Sequence, residues 1–485
     1  MMIEWIVNHS KYHIINIQEL LDRLERLEKE VLHLRKECER IPILEAEIVS
    51  KDAKIAELER RLGLNSQNSH LPSSKDSVTV KTKKKNSRRK KGGKVGGQID
   101  HKGHTLNRFE LVDQIVPCEE TKCSCGCNLK KVRGSVGEAR QLIDIPFQPY
   151  TVTEYQRIDK QCPKCDAIVK GVFPPNVVSN VQYGPNLQAL STGLNSEYKI
   201  PYAKVSELLN QLFGLTINTS TLHNMSLKCS ELLTPIEVTI KDYLLSQDVI
   251  HADETGLIVN TENFWMHVLS NAKATFLKVD KKRGSDSFES GLYQYYGHLV
   301  HDFYGSYFKL TNAKHNTCGA HIDRECEALI EEKSNWALKM KTLLLELAHN
   351  GSTLNIKSQR SIQYRYTRII NEGIKEEPHP IRTGSRGRVK KSKGLNLLYR
   401  LRDYRDEVLE FAFNPNIPFT NNQAERDLRH CKIKLKVSGC FRSINGAKAY
   451  ARISAFISTL RKNSINLFEE LARLFSLQPL VLNLT

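Results

Sequence analysis

Apolar residues recur every seven positions from Leu20 through Leu27, Leu34, Ile41, Ile48 and Ile55 to Leu62. Ile17, Leu24, Val31 and Cys38 add a second seam in the first half, with Glu, Arg and Lys between. A heptad sustained this long predicts a helix that supercoils with another copy. The competing reading is a single amphipathic helix packed on its own chain. Pro42 interrupts the run and the second seam moves to Leu44 and Leu58, so a kink or stutter is expected there. Periodicity then stops: Asn65-Ser66-Gln67-Asn68-Ser69 and Pro72-Ser73-Ser74-Lys75-Asp76-Ser77 read as linker. It resumes over 184–232, where a helix through Leu208 and Leu212, a turn at Gly214 and a second helix with Ser/Thr capping near Thr219 are predicted. That sequence suits a helix-turn-helix or a plain helical hairpin.

From about residue 245 the pattern switches to short β-rich runs, Asp248–His251, Phe264–Ser270, Ala274–Val279 and His298–His301. Helical spacing returns over 326–350 and 394–413, around a basic loop at 378–393. The expected class is multidomain α+β. A coiled coil occupies 1–64, a basic linker 65–105, a zinc ribbon-like module 106–175 and a helical DNA-binding region 180–240. An α/β core spans 241–325, breaks for a helical insertion at 326–410 and resumes over 411–485.

Three carboxylates carry the candidate chemistry. Asp253 closes the apolar run Val249-Ile250-His251-Ala252, and Asp302 closes Leu299-Val300-His301 in the same way. Glu425 lies in Thr420-Asn421-Asn422-Gln423-Ala424-Glu425-Arg426, which reads as a capped helix start. Two strand-end aspartates and a helical glutamate suit a pair of magnesium ions, because hard cations want oxygen ligands. Such a pair supports both the attacking and the leaving oxygen of phosphoryl transfer. The bland alternative is that strand-end aspartates cap turns and that Glu425 only complements a helix dipole. Glu254, beside Asp253, is expected on the opposite strand face. Cys318 and His321, three apart, are expected to pack rather than to bind a second metal.

A formal charge of +18 points to a polyanionic partner, most simply nucleic acid. Residues 81–94 hold nine basic side chains, among them Lys83, Lys84, Lys85, Arg88, Arg89, Lys90 and Lys91. A block of like charge suits sequence-independent phosphate contact or serves as a solubilising spacer. Arg426, Arg429 and Lys434 are placed to grip substrate phosphates or to pair with the acids. No stretch has the ~20 apolar residues of a membrane span, and the first residues lack the pattern of a secretory signal. A cytoplasmic location is expected, and with it metal-binding or buried thiols in place of disulfides. Cys123-Ser124-Cys125-Gly126-Cys127 and Cys162-Pro163-Lys164-Cys165 are two knuckles separated by two expected strands, around 143–146 and Tyr150–Tyr155. Cys123, Cys125, Cys162 and Cys165 would hold structural Zn2+, with Cys118 or Cys127 able to substitute.

Several blocks in order resemble the insertion-sequence-66 family of bacterial DDE transposases. They are His251-Ala252-Asp253-Glu254-Thr255, Asp302-Phe303-Tyr304-Gly305-Ser306-Tyr307, Cys318-Gly319-Ala320-His321-Ile322-Asp323-Arg324 and Asn421 through Arg429, followed by Ser438-Gly439-Cys440-Phe441-Arg442-Ser443. The resemblance covers nearly the whole chain. It implies an RNase H-like catalytic core whose triad is Asp253, Asp302 and Glu425, with two Mg2+ (or Mn2+) ions. It further implies binding to double-stranded DNA at the element's terminal repeats, cleavage there and transfer of the 3′ hydroxyl ends into target DNA. Small accessory proteins encoded beside the enzyme are implied as well. A nuclease that cuts without joining, and a DNA-binding regulator with an inactive core, are the alternatives.

Overall fold

The computed structural model describes residues 17–63, short stretches of 110–175, and residues 177–350, 356–378 and 391–484. The chain divides into two units, Met1–Lys84 and Lys85–Thr485.

In the first unit, helix α1 (Ile17–Gly63) is one 47-residue helix that continues through Pro42. Its heptad positions stand open in the single chain: Leu27 is 52% exposed, Leu34 57% and Ile48 58%. In proteins most helical stability comes from packing an amphipathic face, and the seam residues Leu24, Val31, Ile41, Leu44 and Ile55 are exposed as well.

In the second unit β1 (Asp159–Gln161) and β2 (Ile168–Lys170) pair as a small hairpin. The strand expected at Tyr150–Tyr155 is absent; those residues are irregular and solvent-facing. Pairing instead closes around the turn at 163–165, where two short strands can satisfy each other's backbone groups. The region expected around 143–146, and with it Cys118 and Cys162, lies outside the described residues.

Four helices follow: α2 (Pro185–Ser196), α3 (Tyr202–Phe213), α4 (Thr219–Leu232) and α5 (Thr234–Leu245). Gly214 ends α3 in the left-handed conformation, φ 70°, which costs glycine no steric penalty. Asn218, rather than a Ser or Thr, caps α4 by accepting the Ser220 N–H.

The central sheet holds β3 (Val249–Val259), β4 (Glu262–Ser270), β5 (Thr275–Asp280), β6 (His298–His301) and β7 (Lys314–Thr317), in the order β5-β4-β3-β6-β7. β3, β4 and β5 are antiparallel neighbours, whereas β6 and β7 run parallel to β3. Side chains alternate between two cores. Ile250 and Ala252 pack with Leu269, Phe276, Leu299 and Leu244 of α5 on one face. Leu257, Val259, Met266 and Val268 pack on the other face against Leu428, Cys431 and Tyr450, from α11 (Asn422–Ser438) and α12 (Ile444–Lys462). Helix α13 (Leu467–Phe475) covers α2.

Between β7 and α11 run α6 (Gly319–Glu331), α7 (Asn335–Asn350), α8 (Ile356–Glu376), α9 (Lys393–Asp403) and α10 (Arg405–Phe413). Trp336, Met340, Tyr366, Leu398 and Leu409 give them a core of their own.

Candidate functional site

Asp253 sits in mid-strand, the fifth residue of β3, not at its end. The expectation failed because β3 is longer than its apolar run: the hairpin with β4 continues to Val259↔Glu262. Parallel pairing with β6 nevertheless stops at His251↔Val300. Two residues further in the same register, Asp253 comes level with Asp302, the first residue after β6. Beyond that point β3 continues alongside β4 without β6.

Alternation decides what each side chain of β3 meets. Asp253 shares parity with His251, Leu257 and Val259, so it faces the layer of α11. Glu425 stands in the first turn of that helix. The Asp253 carboxylate accepts the Glu254 N–H at 2.8 Å, and the Asp302 carboxylate accepts the Tyr304 N–H at 2.9 Å. Burial, then the charges of Glu254 and Asp302, with Glu425 also contributing, push the Asp253 carboxyl up to about 8. The neighbouring negative charges therefore oppose ionisation of Asp253, although the three acids do not gather as a ligand group with donor atoms within 4.8 Å of one another.

Glu254 has the opposite parity and the opposite surroundings. Its buried carboxylate accepts Tyr307 Oη–H at 2.6 Å and Arg283 Nε–H at 2.8 Å. The Arg283 guanidinium lies over the rings of Tyr304 and Trp265, 4.2 and 4.8 Å from their centroids. A cation is thereby fixed one residue from Asp253. Sequence patterning missed Arg283 because it lies in the loop after β5, where no periodicity points at the site.

Asn421 joins the pieces. It occupies the N-cap position of α11 without capping it. Its fully buried side chain instead donates to Ala252 O at 2.8 Å and pairs with His251 Nδ1 at 2.9 Å. Its backbone N–H points at Cys318 Sγ, 3.1 Å away. One residue after Cys318, the Gly319 N–H bonds Phe419 O at 2.8 Å. A Cβ on Gly319 would meet the Phe419 ring at 2.0 Å, so only glycine allows that approach. Asn421→Ala would leave a buried carbonyl and an imidazole unpaired. It is expected to cost about 2–4 kcal/mol, read as a lower midpoint in urea at unchanged slope.

On α6, His321 Nε2 and an Arg324 guanidinium nitrogen approach Glu425 Oε1 to 3.9 and 3.8 Å. That oxygen is buried and makes no hydrogen bond. Among the described residues, Cys318, His321 and Glu425 form a group whose donor atoms all lie within 4.8 Å of one another.

The other expected residues scatter. Arg426 and Arg429 are exposed on α11, and Arg426 donates to Gln423 at 2.8 Å. Lys434 is only 8% exposed. It lies half a helical rotation from Glu425, with Nζ 3.5 Å from Asn195 Oδ1 and over the Tyr202 and Tyr450 rings. As placed, it presents no surface ammonium. Cys123, Cys125, Cys127 and Cys165 are exposed free thiols. Lys83, Lys84, Lys85, Arg88, Arg89, Lys90 and Lys91 lie outside the described residues.

The Ser438–Ser443 block also finds its place: Phe441 bridges Val259 and donates to Ile258 O at 2.9 Å, at the end of β3 that β6 does not reach. Among the described residues, no helix is long and apolar enough to cross a membrane.

Compared with known families, residues 13–107 match a family of unknown function, DUF6444. No curated protein matches the chain. Residues 180–449, which carry the whole sheet, the helices between β7 and α11, and the three acids, match the family described as Transposase IS66 family. That match covers more than half of the chain, so the protein belongs to the IS66 transposase family, a family of DNA-processing enzymes.

Proposed function

We propose that this transposase binds the terminal inverted repeats of its insertion sequence, cleaves at the element ends and joins the freed 3′ hydroxyls to target DNA. One observation carries the reading: Asp253 and Asp302 come level where β3 and β6 part, on the face covered by the helix that bears Glu425. The strand order, with three antiparallel strands and two added parallel ones, is the order an RNase H-like core requires.

The donors suit hard divalent ions. All three are carboxylates, Asp253 is pushed up to about 8 without a counter-charge, and Glu425 keeps a buried oxygen unbonded. In this reading Asp253, Asp302 and Glu425 hold two Mg2+ ions, with Mn2+ as a substitute. When bound, such ions lower the pKa of water and of the 3′ hydroxyl and support the leaving oxygen. The protein's own groups orient the acids. The Tyr304 N–H sets Asp302, and Asn421 sets the start of α11.

DNA is gripped further by Arg426 and Arg429 and by the basic linker around Lys83–Lys85 and Arg88–Lys91. The exposed heptad seam of α1 is covered by a second copy in a coiled coil. Cys123, Cys125, Cys162 and Cys165 hold a structural Zn2+. Accessory proteins of the same element would assist, and the enzyme works in the cytoplasm at the nucleoid.

The test is product analysis. Full-length protein with Mg2+ is incubated with labelled DNA carrying the element's own ends. Cleavage at the ends together with joined products is expected. Cleavage without joining would establish a nuclease instead, and binding without cleavage, even with the neighbouring accessory proteins added, would leave a regulator.

A further inference from the structure

We propose that Cys318, His321 and Glu425 form a second metal site, selective for a borderline-soft divalent ion such as Zn2+, which shares Glu425 with the proposed acid triad. The proposal rests on the reading of Glu425 as the third acid only for its consequence, not for its chemistry.

Topology makes the group. Cys318 follows β7 and stands at the N-cap position of α6, and His321 lies one turn along that helix. Glu425 arrives from α11, which the Asn421 and Gly319 bonds lock against the start of α6. The thiol sulfur, an imidazole nitrogen and a carboxylate oxygen thereby come within 4.8 Å of one another. Donors around a tetrahedral zinc ion, with bonds of ~2.0–2.3 Å, sit roughly 3.3–3.8 Å apart. Contraction by about an ångström is within side-chain adjustment.

The donor set discriminates between ions. Magnesium wants a shell of oxygens and gains nothing from a thiol, whereas sulfur, nitrogen and one carboxylate suit zinc or cobalt. Three protein ligands also leave a fourth position open.

The surroundings support a ligating sulfur. The Asn421 N–H points at Cys318 Sγ from 3.1 Å, the kind of outer contact that holds a thiolate in place. Glu425 Oε1 is buried with no hydrogen bond, although His321 and Arg324 both stand just outside bonding distance. Burial disfavours a free thiolate, so binding expels the Cys318 proton to solvent. Arg324 shares the same Glu425 oxygen, and an ion entering there must displace its guanidinium. An ion held by Cys318 and His321 takes up Glu425 Oε1, so it competes with the pair of aspartates for that oxygen.

The experiment is cobalt titration of full-length, chelator-stripped protein, followed by absorbance. It reads binding whether or not DNA is cut, so its failure is separable from failure of the transposase reading. Thiolate ligation gives a near-ultraviolet charge-transfer band, and tetrahedral Co2+ gives strong visible bands. The cysteine knuckles contribute their own signal, which Cys318→Ser leaves intact. Wild type is expected to bind one equivalent more than Cys318→Ser and to show a correspondingly larger charge-transfer band. His321→Gln should lower cobalt affinity and change the visible bands. Arg324→Gln should bind cobalt about tenfold more tightly, because the competing cation is gone. Melting curves without metal identify any variant that fails to fold, and the remaining variants then decide. Equal stoichiometry and equal spectra for wild type and the folded variants would overturn the proposal.

Discussion

Asp253→Asn is expected to abolish cleavage of the element ends, by on the order of 10³-fold or more, while binding of the same DNA stays near wild type. Asparagine keeps the size and the acceptor of the Glu254 N–H but removes the charge that a cation needs. DNA affinity is expected to persist because the proposed phosphate contacts, on α11 and in the linker, lie elsewhere. The same substitution should change stability in the opposite direction. In the ion-free protein Asp253 holds its proton up to about pH 8, against an ordinary carboxyl value of 3.8. Between those values the folded state binds a proton that the unfolded chain has lost, so stability falls as pH rises through that window. Asp253→Asn removes this term. Its melting temperature in chelator should exceed that of wild type near pH 8 and vary less with pH. Adding Mg2+ should stabilise wild type more as pH rises, because the carboxylates must be ionised to bind it. Cleavage by the variant at wild-type rate would remove Asp253 from the chemistry, and an unchanged pH slope would remove it from the repulsive cluster.

The two aspartates stand out in the sequence because each follows an apolar run, and Glu425 because it lies in a polar helix start. Asp302 after β6 and Glu425 in the first turn of α11 stand where the pattern puts them. Asp253 was misplaced along its strand, since composition marks the buried part of β3 and not the polar continuation that pairs with β4. Parity along β3 correctly separates Glu254 from Asp253, because the period of two is fixed by the pleat. The links between elements were not legible. Asn421 reads as a cap, and nothing local says that its side chain turns to Ala252 and His251 on a strand 169 and 170 residues away. Cys318, His321 and Glu425 are one group only because α6 and α11 meet. Lys434 shows the opposite failure: a basic residue beside exposed lysines reads as surface, yet the helix rotates it inward between Tyr202 and Tyr450. Long-range partners of buried polar groups are a property of packing, which local patterning does not encode.

Lys462→Met should destabilise the protein by about 3–5 kcal/mol, the usual cost of leaving a buried charge without its partner. Lys462 ends α12, and its ammonium is bonded to Asp427 Oδ2 at 2.7 Å, Thr275 Oγ1 at 2.6 Å, Asn271 O at 2.8 Å and Ala274 O at 2.9 Å. The two charged side chains are only 11% and 9% exposed. Burial pushes the lysine down, against the pull of Asp427, so the ammonium persists through its partners and not through solvent. Methionine keeps the stem's bulk but strands the Asp427 carboxylate, which retains only Gln423 Nε2 at 3.0 Å and a long contact from Ser458. Asp427 lies two residues after Glu425, so the loss is transmitted to the turn of α11 that carries the third acid. Urea denaturation should show a lower midpoint at constant slope. Cleavage by the fraction still folded should be slower than wild type and recover partly at high Mg2+, because ion binding favours the folded arrangement. The double variant Asp427→Leu with Lys462→Met removes both charges and should regain most of the lost stability. A loss below about 1 kcal/mol for the single variant would mean that water reaches Asp427, and the pair would then rank with ordinary surface ion pairs.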